Sequence, residues 1–214
     1  MVTQRKLILP QLGAPGVAAH EVKKRTGFWV EYGPVRAANL PEYLKSHKAT
    51  PQMRKVAFPL RDRLVLIPVD LIRLVPYTLA AAIVMYFVGG WISSLAAITT
   101  VLVGTVLFPI LLPWLPTHNF STKGFILGLL AALPLAVSPF FWHPDWSWYH
   151  QLGQALIFLL AMPAVTAFIA LNFTGSTTFT SRSGVKREMF AYIPTMAWTF
   201  GTGLLLAIVF IFVH

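Results

Sequence analysis

The sequence predicts an α-helical membrane protein, with five transmembrane helices preceded by a partial α/β (strand-helix-strand-helix) cytoplasmic portion. Three observations predict it. Hydrophobic residues make up 56% of the 214 and charged residues only 11%, against about 25% charged in a soluble domain. The charge is also segregated. Thirteen of the 17 Lys and Arg precede residue 74, and no Asp, Glu, Lys or Arg occurs in 74–122, 146–181 or 189–214. Finally, the polar first part alternates short apolar runs with glycine-stopped helical segments.

The amino-terminal elements follow in order. Residues 6–9 form an apolar run that suits a strand. Residues 15–25 hold helix formers and stop at Thr26-Gly27. Residues 28–32 alternate as a second strand, which Gly33-Pro34 breaks. Asn39 is placed to cap a further helix, with Pro41 in its first turn and Glu42 three residues on, and that helix runs to Ser46 or His47. Strand, helix, strand, helix predicts a parallel unit. Two strands are too few for an independent sheet, so residues 1–48 are expected to be the carboxyl-terminal part of a larger α/β domain. A basic connector over 49–70 leads to the membrane domain, 71–214.

A span needs about 20 apolar residues to cross a core about 30 Å thick. Residues 71–88, 92–112, 124–142, 152–173 and 190–213 qualify. Gly89-Gly90-Trp91 reads as a tight turn, and Trp146, Trp148 and Tyr149 suit a headgroup belt. With the amino terminus in the cytoplasm, all 17 basic residues fall on the inner side and none on the outer. The positive-inside rule therefore fixes a multi-pass protein of the cytoplasmic (inner) membrane, with its carboxyl terminus outside. The same rule accounts for the net charge of +10, which argues against nucleic acid as a partner and for the lipid bilayer.

Several functions are excluded or weakened. With no cysteine, the chain offers no thiolate metal site, disulfide or cysteine nucleophile. Ion-coupled transporters place ionisable residues inside the membrane; here the span interiors carry none. The small-residue stripes Gly124, Gly128, Ala132, Ala136, then Ala96, Thr100, Gly104, and Ala197 with Gly201, suit close helix packing or a homo-oligomer. His143 and His150 share a loop with Asp145, but without the spacing of a known metal site. Asn172-Phe173-Thr174 matches a glycosylation pattern but faces the cytoplasm. In the polar part, ligands of open α/β sheets bind beyond the carboxyl ends of the strands. There Gln11, Gly13 and Gly16 lead into a helix amino terminus, and Gly33, Pro34, Val35 and Arg36 follow the second strand. Two readings thus compete on residues alone: a small transporter, and a membrane platform that docks a partner through its basic face.

Three stretches add a resemblance. Leu7-Ile8-Leu9-Pro10-Gln11-Leu12-Gly13-Ala14-Pro15-Gly16-Val17-Ala18-Ala19-His20-Glu21-Val22 with Tyr32-Gly33-Pro34-Val35-Arg36-Ala37 resembles the end of the corrinoid domain of the microbial mercury-methylation (HgcA) family. That domain is similar to the corrinoid iron–sulfur protein subunit, the delta subunit, of CO dehydrogenase/acetyl-CoA synthase. Asn172-Phe173-Thr174-Gly175-Ser176-Thr177-Thr178-Phe179-Thr180-Ser181, with Ser183-Gly184-Val185-Lys186, resembles the cytoplasmic loop of the same family's five-span membrane domain. The connector, with Ala49-Thr50-Pro51, Met53-Arg54 and Arg63-Leu64-Val65-Leu66, fits as well. The resemblance implies a corrinoid-dependent methyltransferase that passes a methyl group from a cobalt corrinoid (cobalamin-type) to inorganic mercury, giving methylmercury. It also implies a ferredoxin-like iron–sulfur protein as reductant. It makes Gln11, Gly13, Gly16, Gly33, Pro34, Val35 and Arg36 candidate corrinoid contacts. Arg182, Lys186 and Arg187, on the loop beneath the α/β portion, become candidate docking residues. One departure is decisive. The family's cobalt ligand is a cysteine in Asn-(Val/Ile)-Trp-Cys-Ala-Ala-Gly-Lys, and this sequence holds neither the motif nor a cysteine. The expectation is a chain that is not catalytic alone, a fragment or split protein requiring a missing amino-terminal half.

Overall fold

A computed structural model describes residues 5–176 and 182–212 of the chain. They form two compact units, Met1–Ala57 and Phe58–His214.

In the first unit, β1 (Lys6–Pro10) leads through a 3₁₀ turn (Gln11–Gly13) to α1 (Ala19–Thr26). Then come β2 (Trp29–Gly33), a second 3₁₀ turn (Ala37–Asn39) and α2 (Leu40–Ser46). The strands pair in parallel, Lys6 opposite Trp29 and Pro10 opposite Gly33. Gly27 stops α1 by taking a left-handed φ of 74° that a side chain would resist, its N–H bonding Lys23 O at 2.9 Å. Lys23, Lys24 and Arg25 sit in that last turn, where cations meet the negative end of the helix dipole. Asn39 departs from expectation. It lies in helical backbone at the end of the 3₁₀ turn and makes no side-chain cap, because a cap residue needs extended backbone to aim its oxygen at the next N–H groups. The unit's core is thin. Tyr43 and Met53 are its buried hydrophobics, while Leu7, Leu12, Trp29, Leu40 and Leu44 are exposed.

The second unit is helical: α3 (Leu60–Leu102), a π-helical turn (Val103–Leu107), α4 (Phe108–Leu111), α5 (Phe120–Trp142), α6 (Trp148–Phe173) and α7 (Arg182–Phe212). The π turn directly precedes Pro109, whose ring crowds the carbonyl one helical turn back; the widened turn accommodates it. Among the described residues, four helices are long and apolar enough to cross a membrane. Five were expected, and the difference has one cause. The first two expected spans form a single element, Leu60–Leu111, of 52 residues, about 78 Å if straight.

It is not straight. Gly89 and Gly90 leave helical geometry, with Gly90 at φ 72°, a conformation open to glycine and strained in other residues. The reversal is read from a distant contact. Arg63 donates from Nη1 to Pro109 O at 2.9 Å and to Ile110 O at 3.1 Å, so the start and end of the element lie side by side. The element therefore doubles back near Gly89–Gly90, into stretches of about 43 and 32 Å over residues 60–88 and 91–111.

α6 is the spine, with 56% of its apolar window buried, against 11% for α7. α5 lies against it through the first small-residue stripe. A Cβ added at Gly124 would fall 2.6 Å from Ala167 Cα, and one at Gly128 would fall 2.7 Å from Pro163 Cα. At Gly104 it would meet Ile169 Cβ at 2.9 Å. These stripes are used within the bundle, where absent side chains let backbones approach. Gly201 has nothing within 4 Å.

Gly128→Leu should therefore destabilise the detergent-solubilised protein by about 1–3 kcal/mol, the usual cost of overpacking, and lower its thermal midpoint. Gly201→Leu should leave the midpoint unchanged. Equal midpoints for both variants would contradict the packing described.

Candidate functional site

The parallel register sets the two strand-end loops side by side, since Pro10 and Gly33 are direct partners. All seven residues expected from the sequence at the corrinoid site thus gather at one end of the sheet. Their environments differ. Around Gly13 nothing lies within 4 Å of an added Cβ, and at Gly16 only Gly13 O does, at 3.7 Å. Gln11 is half-buried. This loop presents an open surface, but its backbone donors are largely spent on itself. The N–H groups of Ala14, Gly16 and Val17 bond Gln11 O and Gly13 O at 3.0–3.1 Å. Tyr32 ties the loop to β2 by donating its hydroxyl hydrogen to Val17 O.

The second loop is turned inward. A Cβ on Gly33 would meet Ile8 Cγ2 at 2.9 Å and Tyr43 Cε1 at 3.4 Å, so this glycine serves packing. Pro34 is buried. Val35 N–H bonds Met53 O, and Arg36 Nη2 donates to Ala57 O, both at 2.9 Å. The residues fit a corrinoid only as part of its surroundings. The Gln11–Gly16 side offers open floor, whereas Arg36 spends a donor on its own backbone, and with no cysteine in the chain no thiolate can meet cobalt. No cobalt-ligating step belongs to these residues.

Behind the loops lies a polar cluster that the sequence reading missed. Glu31 on β2 pairs with Lys6 on β1, and Tyr43 on α2 donates its hydroxyl hydrogen to the same carboxylate. The hydrogen bond from Lys6, then that from Tyr43, holds the Glu31 carboxyl below its usual 4.5. The bond to Glu31 and burial push the Tyr43 hydroxyl from 10.0 up to about 12. Period-two alternation across β1 and β2 puts Lys6 and Glu31 on neighbouring strands, but nothing in the pattern brings Tyr43 over them.

In the helical unit, Lys186 and Arg187 are exposed on the first turns of α7, with the Lys186 ammonium 5.9 Å from the Phe190 ring centre. The side chain of Arg182 lies outside the described residues. Their neighbour Glu188 is half-buried and accepts the Ser121 N–H at 2.6 Å, capping the start of α5.

The bundle also carries a cleft at each end. One, of about 570 Å³, is lined by residues from the start of α3, the 112–123 segment and the start of α7, with Arg63, His118, Lys123 and Glu188 among them. The other, of about 480 Å³, gathers Gly89–Gly90, the α5–α6 connection and the end of α7. There His143 stacks on Trp146 with ring centres 4.1 Å apart, and His150 meets Phe210 edge-on at 5.2 Å.

No family model, curated protein or solved structure matches the chain.

The Glu31 cluster has a pH signature. The lowered carboxyl contributes stability that is present above its unfolded value and lost as pH falls through the folded one. The raised hydroxyl contributes below 10.0 and loses that as pH rises through about 12. Protection from hydrogen exchange in peptides spanning 6–10 and 29–33, taken relative to the intrinsic rate at each pH, should therefore fall at both extremes. Tyr43→Phe should cost this unit about 1.5–3 kcal/mol, typical for a hydrogen bond to a charged group, and remove the alkaline limb. An unchanged alkaline limb in that variant would contradict the assignment.

Proposed function

We propose that the chain is the membrane-anchored portion of a corrinoid-dependent methyltransferase of the mercury-methylation type. It sits in the cytoplasmic membrane with its amino terminus inside, and another polypeptide segment completes it. The observation that carries the reading is the pairing of Pro10 with Gly33, which puts the two loops of the resemblance at one end of a parallel sheet, where open α/β folds bind ligands. The thin core of the first unit agrees with a partner segment that covers Leu7, Trp29 and Leu12, all exposed here. A bound corrinoid would supply the methyl-carrying cobalt. The residues of this chain form floor and support: Gln11, Gly13 and Gly16 as open surface, Gly33 to Arg36 as the brace beneath it.

The helical unit is read as five spans, because the Gly89–Gly90 reversal yields two membrane-length segments. With the amino terminus inside, every Lys and Arg of the sequence lies on the inner side. Lys186 and Arg187, with Arg182, then form a cationic patch for the corrinoid domain or a ferredoxin-like reductant. Ion pairing at such a patch is screened by salt.

Expressed alone in a host that supplies corrinoid and ferredoxin, the chain should form no methylmercury from added Hg(II). Co-expression with a corrinoid-domain half that carries the cap-helix cysteine should restore formation. Replacing Arg182, Lys186 and Arg187 together by Gln should then reduce it several-fold without loss of membrane insertion. An inactive pair in a host where an intact member of the family is active would overturn the proposal.

A further inference from the structure

The cleft at the basic end of the bundle has features that capping of helices does not exhaust. Arg63 is only 7% exposed. Its Nη1 is spent on the Pro109 and Ile110 carbonyls, but its Nε–H is buried and has no hydrogen-bond partner among the described residues. A buried guanidinium donor left unmatched is costly. Lys123 reaches the same cleft, with Nζ donating to Leu112 O at 2.8 Å, which uses one of its three hydrogens. His118 stands exposed at the rim, beside Thr117 and Asn119. Among the described residues the one acid lining the cleft, Glu188, has an oxygen occupied by the Ser121 N–H. The local balance is two fixed cations against one carboxylate.

The apolar side of the cleft is formed by Phe58, Leu112 and Phe120, and the adjoining surface exposes Leu64, Val65 and Trp114. Trp at such a boundary suits the headgroup level.

We propose that this cleft binds a phosphate-ester oxyanion, supplied by the headgroup of an anionic phospholipid of the inner leaflet. Phosphate oxygens meet the donors of Arg63 and Lys123, His118 closes the rim, and the acyl chains follow the exposed apolar faces. Basic pockets between transmembrane helices on the cytoplasmic side are built for such headgroups, and the hydrogens that Lys123 Nζ does not spend on Leu112 O find acceptors in the phosphate oxygens. The inference rests on the proposed membrane topology, with the basic segments on the inner side, and not on the methyl-transfer reading.

The test uses the purified full chain with equal amounts of phosphatidylglycerol and phosphatidylcholine, read by native mass spectrometry and by thermal midpoint. The wild type should retain phosphatidylglycerol preferentially and melt higher with it. Lys123→Gln and His118→Glu should each weaken that retention about tenfold, as expected for one charge-assisted hydrogen bond lost or one negative charge added at the rim. His118→Glu touches no buried bond, so a folding defect cannot account for its effect. Protection by inorganic phosphate alone, with no preference between the lipids, would keep the oxyanion site but overturn the lipid as its source. Phosphatidylglycerol retained by both variants as by wild type would overturn the site itself.

Discussion

The helical unit depends on a chain reversal that only glycine adopts without strain. At Gly89–Gly90 the 52-residue apolar element turns back on itself, and at the far end Arg63 fastens the two arms by donating to Pro109 O and Ile110 O. The last carbonyls of a helix have no partner within it, and in a low-dielectric surrounding an unmatched carbonyl costs several kcal/mol. A guanidinium meets that need and also suits the negative end of the helix dipole. The reversal and the latch are therefore mutually dependent: the turn brings Arg63 to the carbonyls, and the carbonyls give a buried charge its partners.

Around this hairpin the packing is ordered by where side chains are missing. α5 approaches α6 to backbone distance because Gly124 and Gly128 have no Cβ to hold it off. α6 in turn buries Ala164, Ala167 and Ala170 almost completely. α7 is the peripheral member, exposing Phe190, Trp198, Leu205 and Phe212, a surface suited to hydrocarbon rather than water. Several Thr within these helices satisfy themselves locally: the hydroxyls of Thr100, Thr105 and Thr202 each bond the carbonyl four residues back, whereas Ser121 Oγ and Thr166 Oγ1 are buried without a partner among the described residues.

Much of this was legible in the sequence, and the failures have physical reasons. The parallel strand pair and the Gly27 stop follow from local residue types. So does the stripe from Gly124 to Ala136, whose spacing of four is the spacing of one helix face. That the first two expected spans form one element was not legible, because Gly89-Gly90 turns the chain within so few residues that the helical hydrogen bonding runs on either side almost without interruption. Asn39 was misread because its residue type suits a cap while its backbone does not. Arg63 looked like one more basic residue before a span. What makes it exceptional, the carbonyls of residues 109 and 110, is contributed from 46 and 47 positions away, and no periodicity carries that information. Nor does residue type show that Gly33 packs against Tyr43 or that Arg36 donates to Ala57 O.

The proposed function rests on a proposed consequence of the reversal, a five-crossing topology in which the basic segments of the sequence lie on the inner side of the membrane. The absence of cysteine from the sequence makes this directly measurable by single-cysteine labelling in intact cells with a membrane-impermeant maleimide. Trp91→Cys, beside the reversal, and Pro144→Cys, in the α5–α6 connection, should label from outside. Pro116→Cys, between α4 and α5, should label only after the membrane is permeabilised. Labelling of Trp91→Cys only after permeabilisation, together with Pro116→Cys, would contradict the five-crossing account.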